Sequence, residues 1–272
     1  MQKNTQCAQA ARLIENADGL LIAAGAGMGV DSGLPDFRGT EGFWRAYPAL
    51  GKAQLRFEAI ADPHAFHTDP RLAWGFYGHR LNSYRAVTPH AGFYILQKMA
   101  ENMPHGMFVF TSNVDGQFQK SGVDEKRVVE CHGSIHHLQC LENCDAELWP
   151  ADDFWPDVDD ENCRLRSPLP ECPVCHALAR PNILMFNDWN WLDARTHAQL
   201  LHFRRWRQAV KRLVVIEIGA GTAIPTVRDF SEEQACPLIR INTRASQVHR
   251  PGDVGLAMGG LAGLQAIAAA FA

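Results

Sequence analysis

Short apolar runs recur along the chain, and each ends in a turn of glycine or small polar residues. Five of these runs are rich in β-branched or aromatic residues, as is typical of buried strands. They are residues 19–24, 107–111, 127–130, 213–218 and 237–241. Segments of helical pattern separate several of them, for example 89–101 and 195–211. Strands that alternate with helices predict an α/β fold with an open, mostly parallel sheet.

Two long segments do not follow this alternation. Segment 40–87 is mostly helical and rich in aromatic residues, and segment 138–181 contains most of the cysteines and an acidic, tryptophan-containing loop. We interpret both as insertions that build a smaller second lobe. The predicted architecture is a Rossmann-like domain of residues 1–39, 88–137 and 182–272, with the helical insertion and a cysteine-rich module beside it.

Composition and charge narrow the class of protein. Of the 272 residues, 46% are hydrophobic and 21% charged, which allows a full core and excludes disorder, collagen and coiled coil. The net charge of -4 provides no field for nucleic acid or an anionic membrane. No apolar run approaches the roughly 20 residues that span a bilayer, and residues 1–12 lack the apolar core of a signal peptide. We expect a soluble, cytoplasmic protein with no membrane or nucleic-acid partner.

The cysteines suggest a metal site. Five of the eight lie between Cys140 and Cys175, and in a reducing compartment such a cluster favours metal binding over disulfides. Cys172-Pro-Val-Cys175 is the C-x-x-C pair typical of a closed, four-thiolate structural zinc site. Cys140 and Cys144, with one residue more between them, are the predicted second pair, and Cys163 is the alternative ligand. A cysteine cluster without a metal is the competing interpretation of this predicted zinc-binding module.

Small residues follow every predicted strand. In an open parallel sheet, ligands bind beyond the carboxyl ends of the strands. Those ends contain Gly25-Ala26-Gly27, Ser112-Asn113-Val114-Asp115, Cys131-His132-Gly133, Gly219-Ala220-Gly221 and Asn242. Glycines let a ligand approach the backbone, and free N–H groups at a helix start favour phosphate. The first turn is not a strict G-x-G-x-x-G, so by itself it is equally consistent with a dinucleotide site and a plain tight turn.

Longer motifs point to a known family. Residues 25–39, Gly-Ala-Gly-Met-Gly-Val-Asp-Ser-Gly-Leu-Pro-Asp-Phe-Arg-Gly, strongly resemble the nucleotide-binding motif of the sirtuin family. Further motifs are matched at residues 111–115 (Thr-Gln-Asn-Ile-Asp in the family), 130–134 (the segment of its catalytic histidine) and 172–181 (the second half of its zinc site). The matches follow the family's order and spacing from about residue 10 to residue 267. The resemblance implies an NAD-dependent protein-lysine deacylase that takes NAD as co-substrate and acylated-lysine proteins as substrates, and releases nicotinamide and O-acyl-ADP-ribose.

The same resemblance implies the reacting groups. His132 would be the general base that deprotonates a ribose hydroxyl, a role that suits an imidazole with an ordinary pKa of about 6.5. Asn113 and Asp115 would hold the nicotinamide ribose, a water and the carboxamide, although such residues also cap turns. Ser112, beside them, stands where the family usually has glutamine. The neighbouring histidines at 136 and 137 match no motif and are predicted to be structural or surface residues.

The remaining cofactor contacts are also implied by resemblance. Phe37 would cover the reacting anomeric carbon and exclude water, with Asp36 stabilising its loop and Arg38 lying near the phosphates. Gly219-Ala220-Gly221-Thr222 stands where the family has a Gly-Thr-Ser-type phosphate loop. Backbone N–H groups and the Thr222 hydroxyl would therefore have to bind the phosphates. Asn242 would hold the adenosine ribose; the alternative is an asparagine that starts a turn.

Two segments bear on the acyl group and the peptide. Tyr77-Gly-His-Arg80 places Tyr77 and Arg80 on one helix face, where the two can bind a carboxylate together. The spacing resembles that of class III sirtuins, which accept succinyl- and malonyl-lysine. The alternative is an arginine on a solvated face beside a core tyrosine. Phe186 begins the segment that would pair with the backbone of the substrate peptide. Where the family has Phe-Gly-Glu, this chain has Phe186-Asn187-Asp188.

Two other functions remain open. The altered Ser112 and the loop 219–222 are compatible with an NAD glycohydrolase or an ADP-ribosyltransferase on the same fold. A non-enzymatic regulator that binds NAD or ADP-ribose is the third hypothesis, against which stand the retained His132, Asn113 and Asp115.

Overall fold

The computed structural model describes residues 2–35 and 39–271. Its strands are β1 (Gly19–Ala24), β2 (Met107–Thr111), β3 (Val128–Glu130), β4 (Gly133–Cys140), β5 (Trp149–Pro150), β6 (Val158–Asp159), β7 (Arg164–Leu165), β8 (Ala179–Ile183), β9 (Leu213–Ile218), β10 (Leu238–Ile241) and β11 (Val254–Leu256). Its α-helices are α1 (Gln2–Glu15), α2 (Gly39–Ala46), α3 (Pro48–Lys52), α4 (Phe57–Ile60), α5 (Pro63–Thr68), α6 (Pro70–Ala86), α7 (Ala91–Ala100), α8 (Gln117–Lys120), α9 (Ala194–Ala209), α10 (Thr226–Glu233) and α11 (Gly260–Ala268). None of these helices is both long and apolar enough to cross a membrane.

Six strands form one parallel sheet in the order β11-β10-β9-β1-β2-β3. Along β1, Leu20 and Ile22 pack with α1, α7 and α11, whereas Leu21 and Ala23 pack with α9 and α10. Side chains of a strand alternate between its two faces, so a strand covered by helices on both sides must be apolar at every position. The predicted α/β class with an open parallel sheet is confirmed.

The observed strands differ from the predicted ones at their edges. β3 begins at Val128 because residues 125–127 form a turn of 3₁₀ helix. β10 begins at Leu238, since Pro237 accepts a hydrogen bond from Val215 but has no N–H of its own to donate. The sixth strand, β11, was not predicted. A second, antiparallel sheet of β5, β4 and β8, also not predicted, follows directly after β3.

The aromatic-rich segment packs around α6. Trp74, Phe76 and Tyr77 are fully buried there, and residues of 138–165 contribute to the same apolar cluster. A Cβ at Gly75 would lie 2.0 Å from the carbonyl oxygen of Cys163, so α6 and the loop before β7 pack backbone against backbone. The helical insertion therefore shares its core with the cysteine-rich module. The residue boundaries of the two lobes stay predictions.

The loops after β1 and β9 are also in direct backbone contact. The N–H of Gly27 donates to the carbonyl of Gly219 at 3.1 Å, and Gly219 has a left-handed φ of 61°. A Cβ on Gly219 would lie 2.4 Å from the Cα of Gly27. These glycines thus allow the two loops to pack together. From the sequence, we expected them only to let a ligand approach the backbone.

We expect Gly219→Ala to lower the free energy of unfolding by about 3 kcal/mol, because it adds a strained φ to a steric clash. Urea unfolding measures the change. Gly221→Ala is the matched control, since a Cβ at Gly221 meets no atom within 4 Å. We expect it to change stability by less than about 0.5 kcal/mol. Equal stability of the two variants would contradict the loop contact.

Candidate active site and zinc site

Those predicted cofactor residues that the structure describes meet at the carboxyl edge of the parallel sheet. Gly25 donates its N–H to Ile218 at 2.9 Å, and Ser112 donates to the carbonyl of Ala24 at 3.2 Å. The Asn242 side chain donates to the carbonyl of Ala220 at 2.9 Å. Hydrogen bonds therefore join the ends of β1, β2, β9 and β10, and the sequence motifs that follow these strands lie along one continuous edge.

His132 lies at the end of this edge, after β3. The strands β2 and β3 are neighbours, and Cys131 donates its N–H to Thr111 at 2.9 Å, so His132 lies beside the residues that follow β2. Its carbonyl accepts the N–H of Leu184 at 2.9 Å. Burial lowers the pKa of the His132 imidazole below its ordinary value. The ring is therefore neutral at neutral pH and can accept a proton.

The residues after β2 are held by a hydroxyl. Thr111 Oγ1 donates to the carbonyl of Ala24 at 2.9 Å and accepts the N–H of Asn113 at 3.0 Å. Asp115 is buried, and its Oδ1 accepts the N–H of Gln117 at 3.0 Å, which is the turn-capping contact foreseen as the alternative role. Burial raises the pKa of the Asp115 carboxyl to about 6, against the opposing effect of the Gln117 N–H.

His136 has a structural contact, as predicted. Its Nε2 lies 3.0 Å from the carbonyl oxygen of Asp115. Since a carbonyl only accepts, Nε2 must carry the proton. This bond ties β4 to the loop that follows β2, and Gly116 packs directly against the His136 ring. At His137, burial lowers the imidazole pKa to about 4, so the ring is uncharged.

Two residues that no sequence motif indicated hold the loop after β1. His90 accepts the N–H of Gly92 through Nδ1 at 2.9 Å, so its Nε2 is the donor to the carbonyl of Met28 at 2.8 Å. Asp31 accepts the N–H of Leu261 at 2.8 Å, at the start of α11. The signal for His90 was its place directly before a helix, where a side chain can cap the first turn.

The strands β9 and β10, which precede the loop 219–222 and Asn242, are joined by a buried ion pair that no sequence motif indicated. Arg240 of β10 donates to Glu217 of β9 at 2.8 and 2.9 Å, and to the carbonyl of Gln247 at 2.7 Å. Asn242 accepts the N–H groups of residues 244 and 245, so it does start a turn. In the loop 219–222, the alanine is buried, and the last two residues are exposed. The predicted contacts of Asp36, Phe37 and Arg38 lie outside the described residues.

The two acyl-pocket residues lie on α6 inside the aromatic core. Tyr77 is 1% exposed and stacks on Phe66, and burial raises its pKa well above the ordinary value, so its hydroxyl stays protonated. Arg80 is 9% exposed. Its Nε and Nη2 donate to the Tyr84 hydroxyl at 3.0 and 2.8 Å, and its guanidinium lies 5.3–5.7 Å from the rings of Phe76, Tyr77 and Tyr84. The alternative of an arginine on a solvated face is wrong, although Tyr77 is indeed a core residue.

The segment that is predicted to pair with the substrate peptide, residues 186–188, is anchored at both ends. Phe186 donates its N–H to the carbonyl of Ala61 at 2.9 Å. Asn187 has a left-handed φ of 53°, which asparagine tolerates where the family has glycine. Asp188 accepts two hydrogen bonds from Arg180, at 2.7 and 2.8 Å, with both side chains fully buried. These contacts explain how the altered sequence keeps the segment in place.

Four cysteines form the predicted metal site. The sulfur atoms of Cys140, Cys144, Cys172 and Cys175 all lie within 4.8 Å of one another. The Cys140–Cys175 and Cys144–Cys172 sulfur distances are 3.5 and 3.6 Å, far longer than a disulfide bond of about 2.05 Å. Thiolates about 2.3 Å from a tetrahedral zinc ion are roughly 3.8 Å apart, so the set fits one Zn²⁺. None of the eight cysteines forms a disulfide bond.

The extra residue in the first cysteine pair is accommodated by the backbone. Asn143 adopts a left-handed φ of 51°, which turns Cys144 back toward Cys140. Cys163, the alternative ligand, is not part of the cluster. It is buried against α6 in the aromatic core, where burial raises the pKa of its thiol to about 12. The fourth sulfur of the cluster is therefore that of Cys144, as predicted for the zinc site.

The chain combines a six-stranded parallel sheet with a four-cysteine module. This combination defines its class, a two-part α/β protein with a candidate zinc site. Residues 25–215 match the model of the Sir2 family, so the chain belongs to the Sir2 family, the sirtuins. It is 33% identical over 249 residues to an NAD-dependent protein deacylase of Thermococcus kodakarensis, covering 90% of this chain and 88% of the relative. It is 28% identical over 235 residues to an enzyme of the same name from Aquifex aeolicus, covering 86% and 87%.

Solved structures agree with this fold. A Sir2 homologue in complex with NAD matches with a TM-score of 0.67 at 21% identity, covering 96% of this chain and 92% of the other. A structure solved to explain the mechanism and regulation of Sir2 enzymes matches with a TM-score of 0.70 at 22% identity, covering 98% of both. The predicted family resemblance is confirmed.

Proposed function

We propose that this Sir2-family chain is an NAD-dependent protein-lysine deacylase that removes acyl groups ending in a carboxylate, such as succinyl and malonyl. The relatives named NAD-dependent protein deacylases support the reaction class. The observation that carries the proposal is the neutral, half-buried His132 imidazole beside the residues that follow β2. A base in that position can take a proton from a sugar hydroxyl bound at the carboxyl edge of the sheet.

In the proposed reaction, the acyl-amide oxygen attacks the ribosyl carbon of NAD as nicotinamide leaves. His132 accepts a proton from a ribose hydroxyl, while Asn113 and Ser112 hold the nicotinamide ribose and Asp115 the carboxamide. The roles of Asp36, Phe37 and Arg38 in covering the anomeric carbon belong to the same proposal. The ribose oxygen then attacks the acyl carbon, and a water molecule adds to the same carbon as its bond to the lysine nitrogen breaks and that nitrogen takes up the proton. NAD, the acylated protein and one water thus give O-acyl-ADP-ribose, nicotinamide and a free lysine on the protein substrate.

Backbone groups are proposed to bind the phosphates. The N–H groups of Gly25 and Gly27 are used in loop contacts, whereas those of Ala220 and Gly221 make no backbone hydrogen bond to any other described residue. Free N–H groups are suitable donors to phosphate even where hydroxyls have been lost. Asn242, held against the carbonyl of Ala220, is the proposed contact of the adenosine ribose.

The proposed acyl preference rests on Tyr77 and Arg80. The guanidinium carries a charge in a low-dielectric aromatic surrounding, where its attraction to a carboxylate is stronger than in water. A protonated Tyr77 hydroxyl can donate a second hydrogen bond to the same carboxylate. An acetyl group offers neither contact.

Arg80→Met should therefore lower kcat/KM for succinyl-lysine by about 10- to 100-fold, the effect of losing a charge-assisted hydrogen bond. Turnover of acetyl-lysine should change far less, because it uses no charge at this position. The measurement is the ratio of the two kcat/KM values for wild type and variant. An equal loss on both substrates would contradict the carboxylate role.

A panel of acetyl, malonyl, succinyl and longer acyl peptides with NAD tests the preference in the unmodified chain. We expect the highest kcat/KM for succinyl or malonyl peptides, and a clear acetyl preference would contradict it. The two-lobe boundaries and a cytoplasmic location also belong to the proposal.

A further inference from the structure

Trp189 is the most exposed large apolar side chain in the described part of the chain. It is 94% exposed, compared with 70% for Trp155. Trp155 is partly covered by the Arg85 guanidinium, which lies 4.5 Å from its ring. An indole with almost no protein contact costs solvation free energy, and such residues are enriched where another molecule binds.

The loop that carries Trp189 is firmly anchored. The preceding residue, Asp188, binds the buried Arg180 with both carboxylate oxygens. The same carboxylate accepts the N–H groups of Met185 and Asn190, at 3.3 and 3.2 Å. The backbone is thus fixed on both sides of the tryptophan, so the exposed indole projects from a fixed point of the loop.

The loop is continuous with the proposed active site. The N–H of Leu184 donates to the carbonyl of His132, and Phe186 donates to Ala61. Trp189 is five residues beyond Leu184, so its Cα lies within about 18 Å of Leu184 along the chain. A polypeptide that places its acyl-lysine beside His132 and follows Phe186 therefore extends toward Trp189.

A carboxylate is hydrogen-bonded to the same loop. Asp62 accepts hydrogen bonds from Asn187 Nδ2 at 2.8 Å and from the N–H of His64 at 2.8 Å, and both donors are uncharged. Asn187 and Trp189 are two residues apart, so their Cα atoms are at most about 7 Å from each other.

We propose that Trp189 binds a lysine or arginine side chain that flanks the acylated lysine in the protein substrate. The aliphatic stem of such a residue covers the indole, and its cation lies over the ring, near Asp62. Tryptophan is the aromatic side chain that attracts cations best. This inference rests on the proposed deacylase function, and it makes Trp189 a specificity-determining residue.

The test uses peptides that differ only in the residue flanking the acyl-lysine, which is arginine, leucine or glutamate. A blocked single acyl-lysine without flanking residues is the reference substrate, and all carry the acyl group that the wild-type chain prefers. For wild type we expect the arginine peptide to have the lowest KM. Trp189→Ala should raise that KM about 2- to 30-fold with kcat unchanged, the range expected for the loss of a cation–π contact.

Trp155→Ala is the matched control and should leave every KM unchanged. Trp189→Ala should also leave kcat/KM for the single acyl-lysine unchanged, and its thermal unfolding should match wild type, since the side chain packs against almost nothing. An unchanged KM for the arginine peptide would overturn the inference, as would an equal rise for the leucine peptide. A wild-type chain that turns over no substrate, the single acyl-lysine included, would instead contradict the proposed function itself.

Discussion

His132→Ala is expected to lower kcat for deacylation by about 10²- to 10⁴-fold, the range that a positioned general base contributes. The proposed proton acceptor is lost, while the backbone contact of residue 132 with Leu184 is kept. Thermal unfolding should therefore change little. His197→Ala, on the exposed side of α9, is the matched control and should retain full activity.

The pH dependence of kcat/KM tests the same role in the wild-type chain. Burial lowers the pKa of His132 in the folded protein, so the neutral form that accepts a proton persists below the ordinary value of about 6.5. Activity should be present above the lowered pKa and be lost as the pH falls through it. A fall in kcat/KM centred above pH 7 would contradict the role of His132 as general base. Wild-type activity in His132→Ala would contradict it as well.

Cys172→Ser is expected to abolish stoichiometric zinc and to lower stability by about 5 kcal/mol or more. Structural zinc contributes about 10–16 kcal/mol of apparent binding free energy in zinc-finger peptides, and three thiolates retain only part of it. Cys172 is fully buried between the other ligands, where no solvent replaces the missing sulfur. For a chain of this size the loss corresponds to a fall in Tm of about 10 °C or more.

Cys163→Ala is the control for the zinc assignment. Its thiol lies in the aromatic core and outside the four-sulfur cluster, so the variant should keep one zinc per chain even if core packing weakens. Elemental analysis of the purified proteins gives the zinc content, and calorimetry gives Tm. Zinc retained in a Cys144→Ser variant but lost in Cys163→Ala would reverse the choice of ligand.

The central strands were predictable because burial on both faces leaves a continuous apolar run. β1, β2 and β9 begin and end at the predicted residues. β11 has only three residues, one of them Gly255, and so short a segment gives no periodic signal. β4 carries the polar residue Gln139, whose partner Asn182 is 43 residues away, and β8 carries Arg180, which pairs with Asp188 in the loop after the strand.

Buried charges show the limit of sequence patterns most clearly. Glu217 lies inside a predicted strand, and nothing local indicates that Arg240 neutralises it across the β9–β10 ladder. The same holds for Asp188, whose carboxylate pairs with Arg180 instead of reaching solvent. An ion pair between elements depends on the tertiary fold, which local propensity does not contain.

The candidate site was largely predictable because it lies where parallel strands end. The motifs after β1, β2, β3 and β9 are short, and the topology brings them to one edge. The zinc spacing was the exception. A backbone with φ of 51° at Asn143 lets a pair with three intervening residues do what a C-x-x-C pair does elsewhere, and spacing alone does not reveal that conformation.

The products of the reaction with NAD and an acyl-lysine peptide test the central claim most directly. Mass spectrometry should detect O-acyl-ADP-ribose, nicotinamide and deacylated peptide in equal amounts, with O-acyl-ADP-ribose and deacylated peptide forming about 10²- to 10⁴-fold more slowly with His132→Ala. Free ADP-ribose or an ADP-ribosylated protein, without acyl-ADP-ribose, would instead identify an NAD glycohydrolase or an ADP-ribosyltransferase and contradict the deacylase account.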